Sequence, residues 1–144
     1  MIKTENSSAG SLAIGVLAYR RPSHLKRTLG AIESADGFRE CRIRIFIDGP
    51  RTSSARAQVD DCIRIANEFR RRHIETGTEI VIVERSDNFG LSSSIISATS
   101  ELCREFGHAV ILEDDLLVAK NFLFYMRNAL SRFKNDKQVL QIAG

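Results

Sequence analysis

The sequence is poor in the residues that build cross-linked or metal-clustered proteins. It has three cysteines, two prolines and no tryptophan. Cys41, Cys62 and Cys103 are odd in number, and none belongs to a C-x-x-C pair, so neither a zinc site nor a disulfide framework is predicted. We expect each cysteine to be a small core residue in a reducing compartment.

Long apolar runs are also missing. No run approaches the ~18–20 residues of a membrane span, and the opening MIKTENSSAGS lacks the apolar segment of a signal peptide. We therefore expect no integral membrane segment and a cytoplasmic protein, peripheral at a membrane at most. Residues 1–10 are expected to form a disordered tail ahead of one domain at 11–144.

Neither sign of charge dominates the chain. Lysine and arginine number 21 against 18 aspartates and glutamates, which gives a net charge of +3. This balance suits an anionic ligand without requiring one. The densest basic cluster, Arg64 with Arg70, Arg71 and Arg72, falls in a predicted helix, and we interpret it as a solvated face. No nucleic-acid partner is expected.

Short apolar runs alternate with amphipathic segments along the chain. Strands are predicted at 12–19, 42–48, 79–84, 109–113 and 139–144, and helices at 21–35, 53–73 and 90–106, with a fourth beginning near 120 or 121. The buried face of the third helix is predicted to comprise Leu91, Ile95, Ile96, Thr99, Leu102, Cys103 and Phe106. This alternation predicts an α/β fold, a doubly wound and mostly parallel sheet with helices on both faces.

The fifth predicted strand arrives at the end of the chain with no element after it. A parallel sheet normally continues or is closed by an edge hairpin or a helix. We therefore expect the chain to be the N-terminal part of a longer protein, truncated after Gly144.

Polar side chains follow four of the predicted strands where each ends. These are Tyr19, Arg20 and Arg21; Asp48; Arg85, Asn88 and Gly90; and Glu113, Asp114 and Asp115. Ligands of open parallel sheets bind at the carboxyl ends of the strands. Arginines near carboxylates suit a phosphate-bearing ligand bridged to the protein by a divalent cation, and oxygen ligands are those that Mg²⁺ and Mn²⁺ prefer.

The three adjacent carboxylates need a partner, because they repel one another and are costly to desolvate. Helix capping is the alternative, but the next helix begins several residues later and needs only one cap. Alternation along an extended chain places Glu113 and Asp115 on one face and Asp114 on the other, which favours Glu113 and Asp115 as metal ligands. Without metal, one of the three should bind a proton more readily than a model carboxylate.

The remaining strand-end residues have simpler alternatives. Asp48, and Asn88 with Gly90, could belong to turns, while Arg20 and Arg85 could be surface residues. Other nucleotide-binding classes lack their motifs, since the chain has neither a G-x-x-x-x-G-K-[ST] loop nor a G-x-G-x-x-G turn. A nucleotidyltransferase is a weaker option, because no glycine-rich loop with arginine follows the first strand.

Four segments together resemble a known family. IGVLAYRRPSHLKRTL, IFIDGPR, RSDNFGLSSSI and VILEDDLLVAKNFLFYM are similar to the nucleotide-sugar-binding half of GT-A glycosyltransferases. The likeness is to bacterial family-2-like sugar transferases and to the N-acetylglucosaminyltransferase I type, and it covers about residues 11–144. It implies the Rossmann-like GT-A fold.

The resemblance also implies a role for each acidic residue of the triplet, which matches the family's DXD-type motif. Asp115 would be the direct Mn²⁺ or Mg²⁺ ligand. Asp114 and Glu113 would hold the ribose and metal-bound waters, with Glu113 also sharing the metal site.

The other strand-end residues would contact the nucleotide sugar. Asp48 would bind the base, and Arg20, beside Tyr19, would reach a phosphate or the base pocket. Arg85, Asn88 and Gly90 would lie along the donor sugar and the diphosphate.

The implied activity is transfer of a sugar, with inversion, from a UDP- or GDP-linked donor to a saccharide, a lipid-linked or a protein acceptor. The family places its catalytic base after the point where this chain ends, so the base is expected beyond Gly144. The alternative is a non-catalytic glycosyltransferase-like module that binds a nucleotide or a partner protein without turnover.

Overall fold

The computed structural model describes residues 10–144, so the predicted tail, apart from Gly10, lies outside the described residues. The strands are β1 (Leu12–Ala18), β2 (Cys41–Ile47), β3 (Glu79–Glu84) and β4 (Val110–Glu113). The helices are α1 (Pro22–Glu33), α2 (Arg56–Arg72), α3 (Leu91–Phe106) and α4 (Phe122–Phe133). The predicted order of strands and helices is confirmed as far as α4.

The four strands form one parallel sheet in the order β3-β2-β1-β4. Val16 at the centre of β1 lies opposite Ile45 of β2 on one side and Leu112 of β4 on the other. Every residue of β1 is buried, as its nearly uninterrupted apolar sequence predicts for a strand covered on both faces.

Helices cover both faces of this sheet. Leu25 of α1, Phe69 of α2 and Leu123 of α4 share one core with the strands. The other core is smaller and joins Leu102 of α3 to strand residues such as Phe46. The connection through α3 carries the chain from β3 across to the opposite edge at β4, and a right-handed crossover in that direction places α3 on the second face. The predicted doubly wound arrangement is confirmed.

The predicted fifth strand is wrong. Residues 139–144 have no strand conformation, and within residues 10–144 β4 pairs with β1 alone. The final segment lies against α4 instead, where the Tyr125 hydroxyl donates to the carbonyl of Ala143 at 3.2 Å. Ile142 packs against the larger core. Ile142 is thus partly buried beside the helix while Leu140 is 94% exposed, and residues 139–144 lack the ladder of hydrogen bonds that defines a strand.

The predicted buried face of α3 is only partly correct. The helix buries Ser94, Ala98 and Leu102, whereas Leu91 is 54% and Ile96 67% exposed. At Gly15 of β1 the absence of a side chain leaves room for Leu102 of α3, whose Cδ1 would lie 3.0 Å from an added Cβ. Ser94 and Ala98 lie on the same contact line of the helix, so apolar size is a poor guide to which face is buried.

The cysteines differ in burial. Cys41 and Cys62 are buried as predicted, but Cys103 is exposed, because it lies one position past Leu102 and outside that contact line.

None of the helices within residues 10–144 is both long and apolar enough to span a bilayer.

Two substitutions in α3 test the orientation of this helix. Ala98→Leu should destabilise the fold by about 1–3 kcal/mol, because the added volume meets the packed sheet. Ile96→Ala should change the free energy of unfolding by less than about 0.5 kcal/mol, because Ile96 is mostly in solvent. Urea unfolding measures both values. A cost of about 2 kcal/mol or more for Ile96→Ala would restore the face predicted from the sequence.

Candidate functional site

A cleft of about 420 Å³ opens at the carboxyl ends of the strands, within the usual range of ligand sites. Seven of the residues predicted from the sequence line it: Tyr19, Arg20, Asp48, Asn88, Gly90, Glu113 and Asp114. Arg85 and Asp115 are not among the lining residues, but each bonds a residue that is. Two further arginines that follow strands, Arg21 and Arg51, also line the cleft, and no individual role is predicted for either from the sequence.

Asp48 lies at the end of β2 and is 7% exposed. Its carboxylate accepts hydrogen bonds from the backbone N–H groups of Phe89 and Gly90, both at 3.1 Å. The Ser94 hydroxyl donates at 3.1 Å and Arg85 Nη1 at 2.9 Å. The carboxylate therefore binds the start of α3, where the helix dipole favours negative charge. Its predicted contact with a base stays a prediction, and such a contact has to replace or share one of these bonds.

Arg85 is neither a surface residue nor a residue of the cleft lining. Its side chain is 7% exposed, and its guanidinium carbon lies 4.3 Å from the centroid of the Phe89 ring and 5.3 Å from that of Phe46. Stacking of this kind suits the planar guanidinium. The observed role of Arg85 is to neutralise Asp48, while its predicted contact with the donor sugar or diphosphate stays a prediction.

Hydrogen bonds of Asn88 and Arg51 connect the segments that follow β1, β2 and β3. Arg51 Nε donates to Asn88 Oδ1 at 2.8 Å, and Asn88 Nδ2 donates to the Gly49 carbonyl at 3.1 Å. The Tyr19 hydroxyl accepts from the Arg51 N–H at 3.0 Å. Arg20 is exposed, with its guanidinium carbon 5.9 Å from the Tyr19 ring centroid. Within residues 10–144 no ion pair to Arg20 is found, so its charged group is available at the cleft.

Two glycines in this region are required by the backbone. A Cβ on Gly49 would lie 2.3 Å from the carbonyl oxygen of Ser86, a distance that backbone atoms cannot accommodate without moving. Gly90 has φ +74° immediately before α3, a conformation that favours glycine. Both positions bring the β2 and β3 ends close enough for Asp48 to reach the start of α3.

The acidic triplet does not continue the alternation of β4. The strand ends at Glu113, and a turn follows in which the Leu116 N–H donates to the Glu113 carbonyl at 3.3 Å. The expectation that Glu113 and Asp115 share one strand face is therefore wrong. Asp114 is 2% exposed, and the Thr28 hydroxyl donates to its carbonyl at 2.7 Å.

Capping does not explain the triplet. Helix α4 begins at Phe122, its cap position is Asn121, and no side chain makes a capping hydrogen bond there. The partner of the triplet is Arg21, which binds Asp114 through Nη2 and Asp115 through Nη1, the latter at 3.0 Å. Glu113 lines the cleft, and no hydrogen bond or ion pair to its carboxylate is found within residues 10–144.

The role of Arg21 had a signal in the sequence. Three adjacent carboxylates require a cation, and in a sheet of order β3-β2-β1-β4 the strand beside β4 is β1, which ends just before Tyr19, Arg20 and Arg21. Because Pro22 disfavours helical backbone at the residue before it, Arg21 stays outside α1 and within reach of the turn after β4.

Burial raises the pKa of Asp114 above the ordinary range of an aspartate. The hydrogen bond and charge of Arg21 and the backbone N–H of Tyr19 act in the opposite direction, and the charge of Asp115 adds a smaller upward contribution. The expectation that one carboxylate of the triplet binds a proton more readily is thus confirmed in direction, but desolvation is a larger cause than repulsion.

The carboxylates at the cleft meet the needs of Mg²⁺ and Mn²⁺ only in part. Among the residues that the structure describes, no three His, Cys, Asp or Glu side chains are grouped to hold a metal ion by themselves. Asp115 is 40% exposed and available from solvent. One carboxylate fits these cations where water and the phosphates of a bound nucleotide supply the other ligands. The residues fit a metal shared with a nucleotide, and not a protein-only cage.

Comparison with known proteins supports the fold. No protein-family model matches the chain. Among solved structures, the chain is similar to a mannosyltransferase from Pyrobaculum calidifontis in complex with GDP-Man and Mn²⁺, with a TM-score of 0.61 and 14% identity. The match covers 88% of this chain and 33% of that one. The fold is glycosyltransferase-like. At this identity the likeness concerns the fold alone, and it does not favour the N-acetylglucosaminyltransferase I type.

The Asp48 network can be tested through stability. Asp48→Asn removes the charge that neutralises buried Arg85, so the variant should lose about 3–5 kcal/mol of unfolding free energy. Asp87→Asn, an exposed change in the same loop, serves as the control and should cost less than about 0.5 kcal/mol. Equal, small losses in urea unfolding of the two variants would contradict the structural role of Asp48.

The raised pKa of Asp114 predicts a pH dependence. Below about pH 4 the carboxyl is protonated in both the folded and the unfolded states. As the pH rises from there through the raised folded pKa, the unfolded state loses its proton first, so this group's contribution to stability falls. The unfolding free energy of the native protein minus that of Asp114→Asn should therefore decrease between about pH 4 and pH 7. An increase over this window would mean that Arg21 outweighs burial.

Proposed function

We propose that this chain is the nucleotide-sugar-binding part of a glycosyltransferase that uses Mn²⁺ or Mg²⁺ and takes its sugar from a UDP- or GDP-linked donor, with inversion. The observation that carries the proposal is the cleft at the carboxyl ends of the strands. Residues from four strand ends line it together, among them Tyr19, Asn88 and Glu113. The matched mannosyltransferase, in complex with GDP-Man and Mn²⁺, supports a GDP-linked donor as one of the two options.

The charges of the cleft suit a nucleoside diphosphate. Arg20 and Arg51 are exposed and line it, and arginine binds phosphate oxygens through paired N–H groups. Asp115 would hold the metal, with Glu113 close in the chain to bind metal-bound water. A bound metal would stabilise the negative charge that develops on the leaving diphosphate. The tyrosine and apolar side chains of the lining, including Leu17 and Phe46, leave room for a base.

The chain spans about a third of the length of the structure that it matches, so transfer to an acceptor is a proposal about the whole protein. The acceptor is proposed to be a saccharide, a lipid-linked group or a protein, and the catalytic base is proposed to lie beyond Gly144. The N-acetylglucosaminyltransferase I likeness rests on the sequence motifs alone.

Binding without turnover is the second candidate, and the hydrogen bonds of the carboxylates favour it for residues 10–144 by themselves. Asp48 is bonded to the start of α3, and Asp114 is buried against Arg21. Of the carboxylates lining the cleft, Glu113 alone has no bonded partner within the described part of the chain. A domain that binds the nucleotide and metal but neither hydrolyses nor transfers the sugar would fit this candidate.

Calorimetric titration tests the proposal. GDP or UDP should bind in the presence of Mn²⁺ and lose at least about tenfold in affinity when EDTA removes the metal, since a cation held by Asp115 would supply positive charge for the phosphates. Asp115→Asn should lose the same metal-dependent part while remaining folded, because Asp115 is exposed and its ion pair with Arg21 is worth about 1 kcal/mol at most.

Asp136→Asn, an exposed change beyond α4, is the control and should bind like the native protein. If neither nucleotide binds with Mn²⁺ present, the proposed function is wrong. If Asp115→Asn binds as tightly as the native chain, Asp115 is not the metal ligand.

A further inference from the structure

The guanidinium of Arg21 occupies both aspartates that follow β4. We propose that Arg21 is a built-in competitor of the divalent cation at Asp115, so that the cation binds well only together with a nucleoside diphosphate. This inference rests on the proposed function and concerns how the same site is regulated. It makes metal and nucleotide binding cooperative through one side chain of the protein.

The two aspartates differ in how firmly they are held. Asp114 is 2% exposed, and the Thr28 hydroxyl donates to its backbone carbonyl at 2.7 Å. Asp115 is 40% exposed, and within residues 10–144 its carboxylate has Arg21 as its bonded partner. An exposed pair is weak, whereas leaving a buried carboxylate unpaired is costly. Arg21 can therefore release Asp115 at a small cost and keep Asp114.

The charges around the cleft explain why a bare cation gains little. Arg20, Arg21 and Arg51 line the cleft, and Asp48 is neutralised by Arg85. A dication that takes Asp115 must displace Arg21, whose Nη1 lies 3.0 Å from that carboxylate and whose guanidinium stays nearby on Asp114. A dication and a guanidinium only a few ångströms apart repel each other, which makes binding of the bare cation less favourable.

A nucleoside diphosphate reverses this balance. Its phosphates bring negative charge for the arginines and additional oxygen ligands for the cation, which a single carboxylate cannot supply. The Arg21 side chain is 44% exposed, so it has room to move when Asp115 changes partner.

The alternative to competition is a purely structural role, in which Arg21 only connects the end of β1 to the end of β4.

Arg21→Lys separates these possibilities. Lysine keeps a positive charge for Asp114 but lacks the planar fork that reaches both carboxylates. We expect Mn²⁺ alone, titrated against the signal of free Mn²⁺ in electron paramagnetic resonance, to bind about two- to fivefold more tightly to Arg21→Lys than to the native chain. The gain should vanish in the Arg21→Lys, Asp115→Asn double variant, because the released carboxylate is then absent.

Two outcomes would overturn the inference. One is a folded Arg21→Lys variant with unchanged affinity for Mn²⁺. The other is a native chain that binds Mn²⁺ alone as tightly as it does with GDP. If Arg21→Lys does not fold, the Arg21 Nε–Hε resonance of the native chain decides. It should shift with Mg²⁺ and GDP together and stay unchanged with Mg²⁺ alone, and a shift with Mg²⁺ alone would refute the competition.

The failure of this inference is distinguishable from failure of the proposed function. If the native chain binds neither GDP nor UDP with Mn²⁺, the proposed function and the inference both fall. If it binds them with Mn²⁺ and Arg21→Lys shows no gain for Mn²⁺ alone, only the competition is wrong.

Discussion

The buried carboxylate of Asp48 is the interaction on which the cleft depends. It directly follows β2, neutralises Arg85 at the end of β3 and accepts hydrogen bonds from the N–H groups that precede α3. A charge withdrawn from water needs full compensation, and here that compensation comes from three different parts of the chain. The ends of β2 and β3 and the start of α3 are thereby fixed relative to one another, and one wall of the cleft is set before any ligand binds.

The sheet could be predicted because each strand can be recognised from its own residues. β1 is apolar throughout and β3 was predicted with its exact bounds, since a strand covered by helices needs little information beyond its own composition. The position of the cleft followed from topology, because the carboxyl ends of parallel strands lie at one edge. Tyr19, Asn88 and Glu113 were therefore found from sequence without any knowledge of their contacts.

The errors come from features that depend on neighbours. Ile96 lies in solvent because α3 turns Ser94, Ala98 and Leu102 toward the sheet, and the spacing of large apolar residues in the sequence does not reveal that face. Arg21 is recognisable as a strand-end residue, but its bond to Asp114 could not be predicted because it requires knowing that β1 and β4 are adjacent. The alternation assumed for Asp115 failed because β4 ends at Glu113 and turns. Each of these is a property of the assembled sheet and not of a segment.

The close approach of Gly49 to the Ser86 carbonyl limits which residues the cleft can carry at this position. Backbone atoms at 2.3 Å from a would-be Cβ exclude every side chain equally, so the position tolerates no substitution for reasons of space. A survey of tolerated variants would find Gly49 as intolerant as a residue that touches substrate, although its role is to let two strand ends meet. Steric crowding and direct contact with substrate would thus make a position equally intolerant of substitution. The distance from the would-be Cβ to the nearest backbone atom distinguishes the two causes.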